Sequence, residues 1–273
     1  MTEMRATFRV LSLGWGVQSW GLAAMSALGE LPPIDAAVHA DTGHERSETY
    51  AFAARWTPWL EQRGVRVVTV QATDTNVIGK YNDHMLPAFT TWPNGTSSGQ
   101  ARRECTGHWK LAPIRRWLQA NRNKQRVDQW LGITFDEVRR MRDSDVQYIR
   151  NRYPYIEDLD ADPGAARLVL RQPPMRRSDV IRWLEDKGME VPVKSSCVFC
   201  PFHDRATWRE IKQAGGSDWE QALAVDEAIR HKRENYVCYL TRELRPLAEC
   251  DFSSAEDHGQ LALDEVCGGD CFL

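Results

Sequence analysis

Apolar positions along the chain fall into short runs separated by amphipathic stretches. Ala6 to Leu13 places Phe8, Val10 and Leu11 where a short buried strand needs them, and Val17 to Leu28 reads as a helix. Leu31-Pro-Pro33 breaks the chain, Ile34 to Ala40 forms a second strand, a helical stretch runs to about Gln62, and Val65 to Val70 is a third strand. This alternation predicts an α/β architecture, a parallel sheet covered by helices on both faces. From Thr73 to Glu104 the periodicity fades, with Trp92 to Gly99 the least regular part, and a long loop or lid is expected. A helix from about His108 to Ala120 and a fourth strand from Val127 to Ile133 follow. Asn151 to Leu170 reads as irregular around Asp162-Pro-Gly164. Ser178 to Lys187 is a helix with Ser178 as N-cap, and helices are expected at roughly Arg205 to Gln213 and Asp218 to Lys232. The expected division is a nucleotide-binding domain over 1–175 and a mainly helical, cysteine-containing C-terminal extension over 176–273 packed on it.

Composition narrows the class. The chain has 273 residues, 42% of them hydrophobic, enough to bury a sizeable core. It has no run of eighteen apolar residues and no apolar centre in Met1 to Arg9, so a soluble, cytoplasmic protein without membrane contact is expected. In that compartment the seven cysteines are reduced, and serve as ligands or reactive thiols rather than disulfides. The net charge of −3 is unevenly spread. Lys and Arg against Asp and Glu number 7 to 9 over residues 1–100, 18 to 11 over 101–182 and 10 to 18 over 183–273. A basic middle steers phosphate-bearing ligands, nucleic acid included; solvated arginines on helix faces are the plainer reading.

The first strand runs into Ser12-Leu-Gly-Trp-Gly-Val-Gln-Ser19 and then into the first helix. Unpaired amides at a helix N-terminus and the helix dipole favour an anion there, and Gly14 and Gly16 admit it to the backbone. No Gly-Lys-Ser/Thr follows, which excludes a Walker loop, and no third glycine completes a dinucleotide fingerprint. Asp41-Thr-Gly43 ends the second strand. Both turns therefore fall at the carboxyl edge of the sheet, where ligands of such sheets bind.

Ser12-x-Gly-x-Gly-Val-Gln-Ser19 resembles the Ser-Gly-Gly-x-Asp-Ser loop of the PP-loop ATP pyrophosphatases. Asp41-Thr-Gly43 with Glu48-Thr49 resembles the Asp-Thr-Gly-x4-Glu-Thr element of the phosphoadenosine phosphosulfate reductase branch. Glu104-Cys-Thr106, Gly132-Ile-Thr-x-Asp-Glu137 with Arg140, Tyr153-Pro154, Cys197-x-x-Cys-Pro-Phe-His203 and the terminal Cys267-x3-Cys271 are similar to bacterial and phage proteins of that branch. The resemblance implies an adenine nucleotide α-hydrolase-like (Rossmann-type) twisted parallel sheet flanked by helices. It implies that Ser12, Gly14, Gly16, Val17, Gln18 and Ser19 cradle ATP phosphates, with Asp41, Thr42, Gly43 and Gly132 beside the nucleotide. Ser12, Ser19, Asp41 and Arg140 are the expected catalytic residues. Gln18 stands where the usual loop has an acid, and a neutral amide does not hold Mg2+ as a carboxylate does; Asp41 is the alternative acid.

Cys197-x-x-Cys200, with Cys105 expected at the same rim, suits a metal centre. Three thiolates leave one position open, as in a [4Fe-4S] cluster that exposes one iron. A Zn2+ site would recruit a fourth ligand from His108, His203, Cys267 or Cys271, and metal-free redox or sulfur-carrying thiols are a further reading. Three functions stay open. One is ATP-dependent adenylation of an acceptor for sulfur transfer, the acceptor being tRNA or DNA and the sulfur donor a protein such as a cysteine desulfurase. The second is reduction of a sulfonucleotide, and the third a non-catalytic, metal-stabilised nucleic-acid-binding accessory role.

Overall fold

The computed structural model describes residues 7–75, 86–95, 97–160, 169–232 and 235–253. Asp162-Pro-Gly164, Cys267, Cys271 and part of the stretch Thr73 to Glu104 lie outside the described residues. The chain forms two compact units, one of Met1–Thr75 with Cys105–Cys197 and one of Asn76–Glu104 with Val198–Leu273. No helix among the described residues is long and apolar enough to cross a membrane.

The first unit holds five parallel strands: β1 (Phe8–Ser12), β2 (Ala36–Asp41), β3 (Val67–Gln71), and, after the strands of the other unit, β6 (Val127–Trp130) and β7 (Ile149–Arg152). Their order is β3-β2-β1-β6-β7, that is 3-2-1-4-5 counting only this unit's strands, the arrangement of a doubly wound α/β sheet. Period-two alternation sends Val10 to one face and Leu11 to the other. Val10, Val38, Val127 and Ile149 pack with Ile114 and Leu118 of α3 (Ala112–Asn121). On the opposite face Leu11 and Ala37 join residues of α1 (Val17–Ala27), α2 (Ser47–Glu61) and α4 (Arg177–Asp186). Burial on both faces is why β2, Ala-Ala-Val-His-Ala-Asp, reads as a continuous small-residue run instead of an alternating one.

The boundary expected at 175/176 is not where the chain divides. α4 lies inside the first unit, with Val180 and Leu184 fully buried in the cluster beneath α1. Gly21 makes this close packing of α1 and α4 possible, since a Cβ there would stand 2.6 Å from Val180 Cγ1 and 2.5 Å from the Tyr155 hydroxyl. An aromatic cluster locks α1 onto α2: Trp20 stands edge-on to Phe52 at 5.5 Å and lies 4.8 Å from Trp56 and 5.8 Å from Trp59.

β7 lies where irregular chain was expected to begin. Its sequence, Ile-Arg-Asn-Arg, has no apolar run because its arginines are satisfied by partners far from a hydrophobic pattern. Arg150 donates to both oxygens of Asp128 on β6 at 2.9 and 2.7 Å, and Arg152 Nε donates to Glu157 at 2.8 Å. The strand expected to reach Ile133 ends at Trp130, releasing Leu131 to Thr134 to turn towards α1.

The second unit carries a three-stranded antiparallel sheet, β5 (Ser98–Gln100), β4 (Phe89–Thr91) and β8 (Val237–Tyr239) in that order, with α5 (Arg205–Ala214) and α6 (Gly216–Arg230). Part of the expected loop is thus a hairpin. Its signal was Asn94-Gly95: Gly95 has φ +71° and donates to the Trp92 carbonyl at 2.8 Å. α5 begins on Asp204, which accepts from Thr207 N at 2.8 Å, and buries Trp208 and Ile211. Asp226 of α6, 2% exposed, ties the unit together by accepting from Leu240 N at 3.2 Å and Leu247 N at 2.8 Å. Cys238 and Cys250 are buried in this unit.

Candidate functional site

β1 is the middle strand, and the chain leaves it in one direction through β2 and β3 and in the other through β6 and β7. The carboxyl ends of β1 and β6 therefore border the topological switch point of the sheet, the crevice where open α/β sheets bind ligands. The glycine loop follows β1, and Gly132 to Glu137 follows β6.

The loop is a closed, self-bonded structure. Ser19 Oγ donates to the Gly16 carbonyl at 3.2 Å and accepts from Gly14 N at 3.1 Å, clamping the turn from inside. Ser12, at the end of β1, accepts from Gln129 Nε2 at 2.8 Å, so its own hydroxyl proton remains to be donated elsewhere. Gly16 is the N-cap of α1 with no side-chain cap, and the first turn contains no acidic residue, so the positive end of the helix is left for an external anion. Val17, the first helical residue, is buried beneath the turn. Trp15 has φ +58°, a left-handed conformation rare for a bulky residue. Its ring is held 6.3 Å from Trp20 and 6.2 Å from Phe52, so the aromatic core of the unit fixes the shape of the loop.

Gly132 is pressed against this turn. A Cβ there would stand 2.9 Å from Ser19 N, 3.0 Å from the Gln18 carbonyl carbon and 3.1 Å from Gln18 Cβ, closer than any side chain tolerates against backbone. The approach brings Glu137 to the loop: Gln18 Nε2 donates to Glu137 Oε2 at 3.1 Å, while Arg140 donates to Glu137 Oε1 at 2.5 Å. Tyr155, fully buried, donates to the Gln18 carbonyl at 2.7 Å, and burial pushes its hydroxyl pKa well up, so it stays a donor. The sequence pattern contained Glu137 but assigned it no role; the structure places a carboxylate beside the position where the loop itself has none.

Asp41, at the end of β2, is largely engaged. Its Oδ1 accepts from Gly43 N at 2.8 Å and the Tyr50 hydroxyl at 2.7 Å, and its Oδ2 from Gln71 Nε2 at 2.8 Å. Burial raises the carboxyl pKa, but these three hydrogen bonds together outweigh it and hold the group below its ordinary value. Gly43 takes φ +73° to close the turn. Thr42 is fully buried, its hydroxyl 3.4 Å from Cys197 Sγ and accepting from His44 N at 3.3 Å. His39 sits beneath the loop with Nδ1 3.0 Å from the Leu13 carbonyl; that oxygen only accepts, so Nδ1 carries the proton. Burial lowers its pKa and keeps the ring neutral. Glu48 braces buried Arg46 at 2.9 Å.

A further group was not anticipated from the sequence. Glu45, whose side chain is 1% exposed, accepts from Lys110 Nζ at 2.8 Å and from Ser195 Oγ at 3.3 Å, and its backbone bridges Cys197. Ser195 in turn lies along the glycine loop, 3.5 Å from where a Cβ on Gly16 would be. Residues distant in sequence, Glu45, Lys110, Ser195 and Cys197, thus converge next to the glycine turn. The only hint was adjacency: Glu45 follows Asp41-Thr-Gly43, and Ser195 precedes the Cys-x-x-Cys motif.

The expected metal ligands are divided between the units. Cys105, at the start of a π-helical turn (Thr106–Leu111), and Cys197 belong to the first and Cys200 to the second, all three half-buried. Among the described residues no three His, Cys, Asp or Glu side chains are grouped as a metal site.

No family model matches the sequence. No curated protein matches it either. Among solved structures the chain is similar to phosphoadenylyl-sulfate (PAPS) reductase from Candida auris in a phosphate complex, at 10% identity over 70% of this chain and 78% of that one, with a TM-score of 0.41.

Proposed function

We propose that the glycine loop binds the phosphates of ATP and that the protein adenylates an acceptor, a nucleic acid, for sulfur transfer. The observation that carries this reading is the convergence at the switch point: an uncapped, acid-free helix N-terminus after β1, with Gly132 and Glu137 of the neighbouring strand folded onto it. An acceptor oxygen attacks the α-phosphorus, the α–β phosphoanhydride bond breaks and pyrophosphate leaves; a sulfur nucleophile then displaces AMP from the activated acceptor. The Ser12 hydroxyl and the first-turn amides are placed to donate to the oxygens on which charge develops. Arg140, 65% exposed and anchored by Glu137, supplies a guanidinium at the same edge.

Of the two carboxylates, Glu137 carries two hydrogen bonds, from Gln18 and Arg140, against three on Asp41, and it is the one that would hold Mg2+ beside the loop. When bound with the phosphates the ion would neutralise their charge. The proposed role of Cys105, Cys197 and Cys200 is sulfur handling as thiols, with Cys197 Sγ beside the Thr42 hydroxyl of the Asp41 turn.

The test is ATP–pyrophosphate exchange with tRNA and DNA acceptors. Ser12→Ala should lower kcat by about 100-fold, the usual cost of one donor to developing charge, without unfolding the protein. Normal exchange in Ser12→Ala, or turnover of a sulfonucleotide with none of ATP, refutes the assignment. Metal and acid-labile sulfide analysis of anaerobically purified protein separately decides whether the thiols hold a cluster, zinc or neither.

A further inference from the structure

The second unit contains a cavity of about 500 Å³ that the nucleotide site does not use. Its buried wall is aromatic: Trp208 stands edge-on to His203 at 4.8 Å and stacks on Phe252 at 6.1 Å with an interplanar angle of 18°. Phe202, which lines the cavity, is 43% exposed. Two guanidiniums flank the cavity. Arg103 lies 5.2 Å from the centre of the Phe202 ring, and Arg242, also lining the cavity, lies over Phe89 at 5.7 Å. Neither is paired with a carboxylate among the described residues. The third, Arg205, is neutralised locally by Glu243 at 2.5 Å. The cavity therefore combines an exposed flat ring with the Arg103 and Arg242 guanidiniums, while the Asp204 and Glu243 carboxylates also line it.

We propose that this cavity binds a nucleotide unit of a single-stranded nucleic acid, a base stacking on Phe202 and its phosphates meeting Arg103 and Arg242. The volume falls in the range of pockets that enclose a small ligand, roughly 300–1,000 Å³. Every base has a π-face, and an aromatic platform beside arginines is the arrangement by which single strands are held without sequence reading. A duplex hides its base faces and would gain only the charge interactions. The inference deepens the reading of the protein as an enzyme acting on a nucleic acid and rests on it for the acceptor's class, but the two sites fail separately.

Fluorescence anisotropy with short labelled single strands of DNA and RNA tests it on the full-length protein. Phe202→Ala, at an exposed position, should weaken binding about tenfold or more, and Phe202→Trp should restore it. Arg103→Ala/Arg242→Ala should flatten the salt dependence by about 0.7 in slope for each phosphate that the variant no longer neutralises. Ser12→Ala should bind the strand as the wild type does, while Phe202→Ala should bind ATP, measured without any acceptor, as the wild type does; this separates the inference from the nucleotide-site reading. Unchanged binding in Phe202→Ala, or equal binding of duplex and single strand, overturns the proposal. Displacement by polyglutamate as effective as by a strand would show that charge alone is read, and overturns it too. A mononucleotide competing as well as the strand would identify a free nucleotide as occupant and refute the strand assignment.

Discussion

Replacing Gly132 by alanine adds one methyl group at the place where the segment after β6 presses on the glycine turn that follows β1. The added Cβ meets Ser19 N at 2.9 Å and two atoms of Gln18 at 3.0 and 3.1 Å. Ordinary contact begins several tenths of an ångström further out, and two of the three atoms are backbone of the first turn of α1, which cannot swing aside as a side-chain tip does. Either the turn or the segment after β6 must shift, and overpacking of this kind costs about 1–3 kcal/mol. With a urea m-value of about 2 kcal/mol per molar, the midpoint should fall by about 0.5–1.5 M. The shift also parts Gln18 from Glu137, so ATP affinity should fall alongside stability. Urea denaturation followed by near-ultraviolet circular dichroism of the tryptophan cluster measures the first, and nucleotide titration the second. Gly107→Ala is the control: nothing lies within 4 Å of its added Cβ, and alanine in a helical turn should leave stability equal or raise it by up to about 1 kcal/mol. Identical midpoints for Gly132→Ala and the wild type would refute the close approach and, with it, the delivery of Glu137 to the loop.

Two other outcomes follow from the same edge of the sheet. Asp41 is held below its ordinary value of 3.8, so it stabilises the fold above that pH and its contribution is lost as pH falls through the lowered value. Melting temperatures taken over acid pH should therefore fall less steeply for Asp41→Asn than for the wild type, and parallel curves would contradict the hydrogen-bonded role. Lys110→Met leaves the Glu45 carboxylate buried without its cation and should destabilise by about 3 kcal/mol, whereas Glu45→Gln/Lys110→Met should recover much of the loss; a double-mutant cycle with no coupling would contradict the pairing.

The amino-acid pattern by itself determined the alternating strands and helices of the first unit, because period-two and period-3.6 burial leave their mark on every few residues. It also located the glycine turn and the Asp41 turn, since both depend on local chemistry: glycines where the backbone must be open, an uncapped helix start, an aspartate closing its own turn on Gly43. Two kinds of feature were decided only by tertiary structure. One is the elements whose polar residues are satisfied far away in sequence, such as β7 with Arg150 on Asp128, which show no apolar period. The other is the convergence of Glu137, Glu45, Lys110 and Ser195 on the loop. Such convergence depends on strand order and on how closely two backbones approach at Gly132, and neither leaves a local trace in the chain. The division of the chain followed the same logic, for α4 joins the first unit through close packing at Gly21 that is set by shape and not by sequence neighbourhood.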